Sequence, residues 1–162
     1  MTEQEMTGHE RMMALAIEQA RHGASLGEQP FGALVAREGE VVAKTWSKKV
    51  GLCDATAHSE TLAVGLACRA LGRRELPDCT FYATCEPCPM CLGAILNGGF
   101  KRLVMGARNE DVKRLARKAF NFKGYTVESF AENVGWDLEV IDGVLTEECV
   151  ALYTSSEVEL TR

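Results

Sequence analysis

Apolar positions recur at helical spacing from Glu10 to His22: Met13, Ile17 and Ala20 fall on one face, and Gly23 supplies a stop. The pattern then shortens. Phe31–Ala36 is a continuous apolar run, Glu38-Gly39-Glu40 reads as a turn and Val41–Ala43 resumes the run, which predicts a β-hairpin. Thr56 stands where it would cap a second helix through Leu62, Leu66 and Leu71, with Gly72 ending it and Pro77 blocking a restart. Thr80–Thr84 reads as a strand. Pro89 suits the first turn of a third helix through Leu92, Ile95 and Leu96, closed by Gly98-Gly99. Arg102–Met105 is another strand, Asp137–Ile141 a weaker one, and Thr146–Tyr153 a terminal helix; between Glu110 and Gly135 the periodicity is mixed.

The order is αββαβαβ, an irregular stretch, then βα. Strands alternating with helices imply a sheet covered by helices. Helical crossovers favour parallel pairing while the hairpin is antiparallel, so the sheet should be mixed.

At about 150 residues per domain, 162 residues make one domain, expected to span 1–162. With 46% apolar and 25% charged residues, the chain is an ordinary globular protein and not a disordered or low-complexity one. Its net charge of −5 lacks a whole-chain basic footprint, so nucleic acid is not the expected partner. The stretch Arg108–Lys123 is locally basic, while everything after it is acidic, including Glu147, Glu148, Glu157 and Glu159. No run approaches the length of a membrane span, and Met1-Thr2-Glu3-Gln4-Glu5 is not a secretory leader. A reducing cytoplasm is the expected location. There, an odd set of seven cysteines points to metal binding or catalysis more than to disulfides.

The chemistry gathers at His58, Glu60, Cys88 and Cys91. Cys88-Pro89-Met90-Cys91 sets two thiols three residues apart at a helix start, where they share a face and thiolate is favoured. His58 lies at the start of the preceding helix, and both helices flank the strand Thr80–Thr84, so their N-termini can meet at one end of the sheet. One imidazole and two sulfurs around Zn2+ leave a fourth position for water, the mark of a catalytic site. Glu60, two residues beyond His58, points away from the ligand direction and is better placed to handle a proton than to bind the ion. Two other readings use Cys85: an iron–sulfur run, Cys85-x-x-Cys88-x-x-Cys91, and a closed structural site with Cys85 as fourth ligand. Cys53, Cys68, Cys79 and Cys149 read as small buried hydrophobes, and Trp46 and Trp136 as packing residues.

His58-Ser59-Glu60 followed by Pro87-Cys88-Pro89-Met90-Cys91 is the His-x-Glu, Pro-Cys-x-x-Cys signature of zinc deaminases. The chain resembles the cytidine and deoxycytidylate deaminase superfamily. Within it, the chain is similar to the branch that holds tRNA adenosine deaminases, bacterial guanine deaminases and fungal cytosine deaminases. Pro30–Val35, Asp54–His58, Glu86–Ala94, Met105–Asn109 and Gly143–Cys149 carry the resemblance, which covers about Glu10 to Thr154. It implies an α/β fold, a three-layer αβα sandwich around a central mixed five-stranded sheet. It also implies hydrolytic deamination of an amino-substituted aromatic ring, with Glu60 as the proton carrier and a homodimer or larger homo-oligomer. The ring would lie near Phe31, with the Ser59 N–H and the Glu86 carbonyl at its polar edge.

Two departures bear on substrate. The family usually carries Asn eleven residues before the metal histidine, and Ser47 stands there with a single hydroxyl. The acidic run of guanine deaminases faces Ala119-Phe120-Asn121-Phe122. The leading expectation is a small amino-heterocycle substrate, guanine-like first and cytosine-like second. The alternatives are a tRNA-specific adenosine deaminase and a non-catalytic zinc scaffold of the same fold.

Overall fold

The computed structural model describes residues 6–115 and 122–154. Helix α1 (Gly8–Ser25) opens on a capping box, in which Thr7 Oγ1 accepts from Glu10 N at 3.2 Å and the Glu10 carboxylate accepts from Thr7 N at 2.6 Å. It runs through Gly23, where the sequence pattern predicts a stop. Trp46 lies against this residue, and a Cβ there would meet Trp46 Cδ1 at 2.7 Å, so the glycine is present for close packing. Strands β1 (Gly32–Arg37) and β2 (Glu40–Trp46) form the predicted hairpin. Its turn residues Glu38 and Gly39 have φ of 53° and 83°, as a tight two-residue turn requires.

Helix α2 (Ser59–Leu71) leads to β3 (Thr80–Cys85), and helix α3 (Pro89–Asn97) crosses over to β4 (Arg102–Ala107). Two short helices follow, α4 (Asn109–Leu115) and α5 (Val127–Asn133), then β5 (Glu139–Ile141) and α6 (Thr146–Thr154). The five strands lie in the order β2-β1-β3-β4-β5. β1 is antiparallel to both β2 and β3, whereas β3–β4 and β4–β5 are parallel, so the sheet is mixed as expected.

Alternating residues of β1 feed two cores. Leu34 and Ala36 join Met13, Ile17, Tyr82, Val104 and Leu152 on the face covered by α1 and α6. Ala33 and Val35 join Ala63, Phe81, Leu92, Ile95 and Met105 on the face covered by α2 and α3. Both faces of the sheet are therefore buried, which makes the three-layer αβα sandwich. Among the described residues no helix is long and apolar enough to cross a membrane.

Three local expectations need correction. Thr56 does not cap α2: its N–H and hydroxyl both bond to Asp54 Oδ1, at 2.8 and 2.7 Å, in an Asx-type turn, and the cap position falls to His58. The Glu110–Gly135 stretch contains α4 and α5, too short to announce themselves by periodicity. Cys53 is exposed and Cys68 partly so; only Cys79 and Cys149 of the four are buried.

A buried carboxylate ties the C-terminal third to the sheet. Glu86, directly after β3, accepts from Asn109 N and Val127 N, each at 3.0 Å, and from Arg108 at 3.3 Å. Arg108 also forks onto Glu128, at 2.9 and 2.7 Å, and bonds to Asp142. One carboxylate thus fixes the start of α4 and of α5.

Two predictions follow from packing and from charge. At Gly32, α1 lies directly over β1: a Cβ would overlap the Ala16 carbonyl oxygen and sit 2.8 Å from Ala20 N. Gly32→Ala is expected to cost about 1–3 kcal/mol in denaturant unfolding, and a cost below ~0.5 kcal/mol would contradict this close approach. Hydrogen bonds from Arg108 hold the Glu128 carboxyl below its ordinary value of 4.5. A folded-state value below the unfolded one means stabilisation that is complete at neutral pH and fades as pH falls through the folded value. Because Glu128 is half-exposed, solvent screens the pair. Glu128→Gln should lower Tm by about 1–4 °C at neutral pH, with the gap to wild type closing as pH falls into the acid range below the ordinary carboxylate value. A gap independent of pH would contradict it.

Candidate active site

Two helices begin at the same end of the sheet without the usual side-chain cap. His58 is the N-cap of α2 and Cys88 the N-cap of α3, both in extended conformation, and neither side chain bonds to its helix. A Ser, Thr, Asp or Asn at such a position is worth about 1 kcal/mol, so these residues are spent on something other than capping. Pro89 at the first turn keeps α3 regular without needing an N–H partner. Tyr125 donates to the Pro87 carbonyl at 2.6 Å and pins the turn that delivers Cys88. Across the pocket, Lys48 N donates to the Ala57 carbonyl at 2.9 Å and draws the segment before His58 against the end of the hairpin.

The result is a compact donor group. Cys88 Sγ lies 3.4 Å from Cys91 Sγ and 3.8 Å from His58 Nδ1, and Cys91 Sγ lies 3.4 Å from the same nitrogen. Zn–S bonds of about 2.3 Å and Zn–N bonds of about 2.0–2.1 Å at tetrahedral angles would set such donors roughly 3.5–3.8 Å apart. The three residues therefore fit a tetrahedral divalent ion. Among the described residues this group contains neither Cys85 nor Glu60. Cys85 Sγ faces Asn109 Oδ1 at 3.8 Å instead, which removes the support for a closed site or a cysteine-only cluster built on it. Cys88 and Cys91 stand at the N-terminus of α3, where the helix presents partial positive charge.

Beside the donor group lies a narrow pocket lined by Gln29, Phe31, Ser47, His58 and Glu60. Glu60 is 3% exposed, and its carboxylate accepts from the Ser59 hydroxyl at 2.8 Å. Phe31 and Ser47 are cross-strand neighbours: Ser47 N donates to the Phe31 carbonyl at 3.0 Å, extending the hairpin register beyond Gly32–Trp46. Behind Phe31 stands Tyr153 of α6, with ring centroids 5.2 Å apart. Its hydroxyl meets Thr84 Oγ1 at 3.4 Å, and burial pushes the phenol well above its ordinary range, so it stays neutral.

Of the residues singled out in the sequence, Phe31, Ser47, His58 and Glu60 border the pocket, while Cys88 and Cys91 adjoin it through His58. Ser59 is wholly buried and reaches the site through Glu60. The Glu86 side chain turns the other way, towards the starts of α4 and α5. Trp46 and Trp136 pack outside the pocket, Trp46 edge-on to His22 and Trp136 through Nε1 to the Phe100 carbonyl. Gln29, the Ser59 hydroxyl and Tyr153 carry no signal in the sequence pattern. Only the adjacency of Gln29 to the Pro30–Val35 run hints at its position. The run Ala119-Phe120-Asn121 and the acidic Glu157 and Glu159 lie outside the described residues.

Comparison with known proteins agrees with this geometry. The family model for MafB19-like deaminases matches residues 7–147. A tRNA-specific adenosine deaminase of Haemophilus influenzae is 35% identical over 86% of this chain and 78% of its own length. A guanine deaminase of Bacillus subtilis is 38% identical over 64% of this chain and 67% of its own length. The solved structure of a guanine deaminase from Nitrosomonas europaea superposes with a TM-score of 0.76 at 27% identity, over 89% of this chain and 81% of that one. A donor trio at two helix starts, a buried glutamate beside it and a family match along most of the chain converge on one conclusion: this protein belongs to the MafB19-like deaminase family of the cytidine deaminase-like superfamily and is a hydrolytic deaminase.

Proposed function

We propose that the protein is a zinc-dependent deaminase of a free nucleobase or related amino-heterocycle, guanine-like rings first and cytosine-like rings second, releasing ammonia. The observation that carries this reading is the buried Glu60 carboxylate standing beside, and outside, the His58–Cys88–Cys91 donor group, in a pocket it shares with His58 and Phe31. Held by those three residues, zinc would supply a Lewis acid that makes water nucleophilic near neutral pH. Glu60 is the proton carrier: its carboxylate would take one proton of the attacking water to the ring nitrogen beside the reacting carbon and the other to the departing amine, which leaves as ammonia. The Ser59 hydroxyl fixes the carboxylate during these transfers. Phe31, braced by Tyr153, offers the apolar wall against which a planar ring packs. The Ser59 N–H and the Glu86 carbonyl remain our assignments for the ring's polar edge.

Charge supports a small substrate. Phosphate contacts supply much of nucleic-acid affinity. Arg108, which opens the locally basic stretch, is already engaged by Glu86, Glu128 and Asp142. The tRNA adenosine reading has its own support in the extent of similarity: a tRNA-specific adenosine deaminase of Bacillus subtilis is matched over 97% of this chain and 93% of its own length. A pocket for one base would also serve an adenosine flipped out of a loop. The reading further includes a homo-oligomer in a reducing cytoplasm, where the Cys88 and Cys91 thiols stay available.

Three measurements test these points. Glu60→Gln should retain the metal content of wild type while ammonia release falls by roughly 10²–10⁴-fold. Wild-type rates in that variant would contradict the role of Glu60, and no activity in either form on bases or on a tRNA anticodon hairpin would favour a non-catalytic scaffold. Inosine formation in the hairpin, lost steeply with added salt, would move the assignment to tRNA. Sedimentation should give a multiple of 17.7 kDa, and a 17.7 kDa species at micromolar concentration would contradict the oligomer.

A further inference from the structure

The chain between the two pocket residues Ser47 and His58 is a loop with little packing of its own. Residues 50–56 are all exposed, and its larger apolar side chains, Val50 and Leu52, are 58% and 59% exposed. Hydrogen bonds hold it instead. Lys48 N closes its base onto the Ala57 carbonyl at 2.9 Å, and Leu52 N and Asp54 N bond back to the Lys48 and Lys49 carbonyls at 3.0 and 3.1 Å, which winds the chain into one tight turn. Cys53 stands in that turn with φ of 49°, a left-handed conformation that a residue with a Cβ adopts at a cost. A loop this exposed and locally strained needs a hold from outside.

Glu28 supplies it. Its N–H bonds to the Gly23 carbonyl near the end of α1 at 3.0 Å. Its side chain is buried, and the carboxylate accepts from Val50 N at 2.9 Å and from Gly51 N at 2.7 Å. These amides open the turn, and the carboxylate serves them as a cap serves a helix, with the added strength of a charged acceptor. Gly51 fits the contact: a Cβ there would come within 2.7 Å of Glu28 Oε1.

We infer that Glu28 is a positioning residue of the active site: its carboxylate clamps the 48–57 loop to the segment that leads into Phe31 and so fixes the spacing of Ser47 and His58 across the pocket. This rests on the deaminase reading for its effect on turnover and on the donor group for its effect on the metal. A ring packed on Phe31 must lie in register with Glu60 and with the His58 side of the pocket, and a misplacement of about 1 Å between them costs on the order of 10²-fold in rate. The same movement would leave His58 a poorer ligand.

The test loads wild type, Glu28→Gln and Glu28→Ala with zinc and records Tm, the rate of zinc release to excess EDTA, and kcat and KM. Turnover is read as ammonia release from guanine, cytosine or adenine, or as inosine formation in a tRNA anticodon hairpin, at one temperature well below every Tm. Gln keeps one acceptor oxygen and turns an NH2 towards the second amide, whereas Ala removes both contacts. Glu28→Gln should release zinc roughly tenfold faster and lose roughly 10–100-fold in kcat, with KM within about threefold, and Glu28→Ala should go further in both. Glu28→Gln decides the outcome if Glu28→Ala does not fold. Zinc release or kcat within about twofold of wild type, whatever the change in Tm, would overturn the role of Glu28 and leave the deaminase reading intact. A wild type that holds zinc but turns over none of these substrates would overturn the deaminase reading; faster zinc release in the variants would still support the clamp, and unchanged release would overturn it as well.

Discussion

Two cysteine sulfurs and an imidazole nitrogen must be held within 3.8 Å of one another, at the spacing of donors to one tetrahedral cation. That requirement governs the rest of the site. It is met because β3 and β4 are parallel and α3 crosses between them, which places the start of α3 at the same end of the sheet as the start of α2. In open α/β sheets this carboxyl end is where ligands bind. The helix termini add partial positive charge, and both cap positions forgo their ordinary hydrogen bond so that ligand side chains can turn inward.

The surroundings are rigid where the chemistry needs them to be. Both faces of the sheet are buried, so β1 and β3 have little freedom to shift under Phe31 and Glu86. Gly32 lets α1 approach β1 so closely that no side chain fits between them. Tyr153 arrives from the last described helix to support Phe31, so the far end of the chain contributes to the pocket wall. Glu86 links the strand that feeds Cys88 to the short helices α4 and α5 through two backbone N–H groups and Arg108.

Most of the architecture was legible in the sequence because period-2 and period-3.6 patterns are properties of single elements. The hairpin, the two central helices and the parallel crossover all follow from such patterns. What was not legible depends on neighbours. Gly23 looks like a helix stop and is instead a contact for Trp46. Thr56 looks like a cap until Asp54 claims its hydroxyl. The metal trio was legible because its spacing and residue types are chemically restrictive. The other pocket contacts were not: nothing in a one-dimensional pattern says that Ser59 bonds to Glu60 or that Gln29 reaches the pocket.

The central claim is an ion bound by one nitrogen and two sulfurs of this chain, with one position left for water. X-ray absorption at the zinc edge of the purified protein reads that arrangement directly. The expected shell holds two sulfurs at about 2.3 Å and two nitrogen or oxygen atoms at about 2.0–2.1 Å. A shell of three or four sulfurs, or protein that takes up no zinc, would contradict the account.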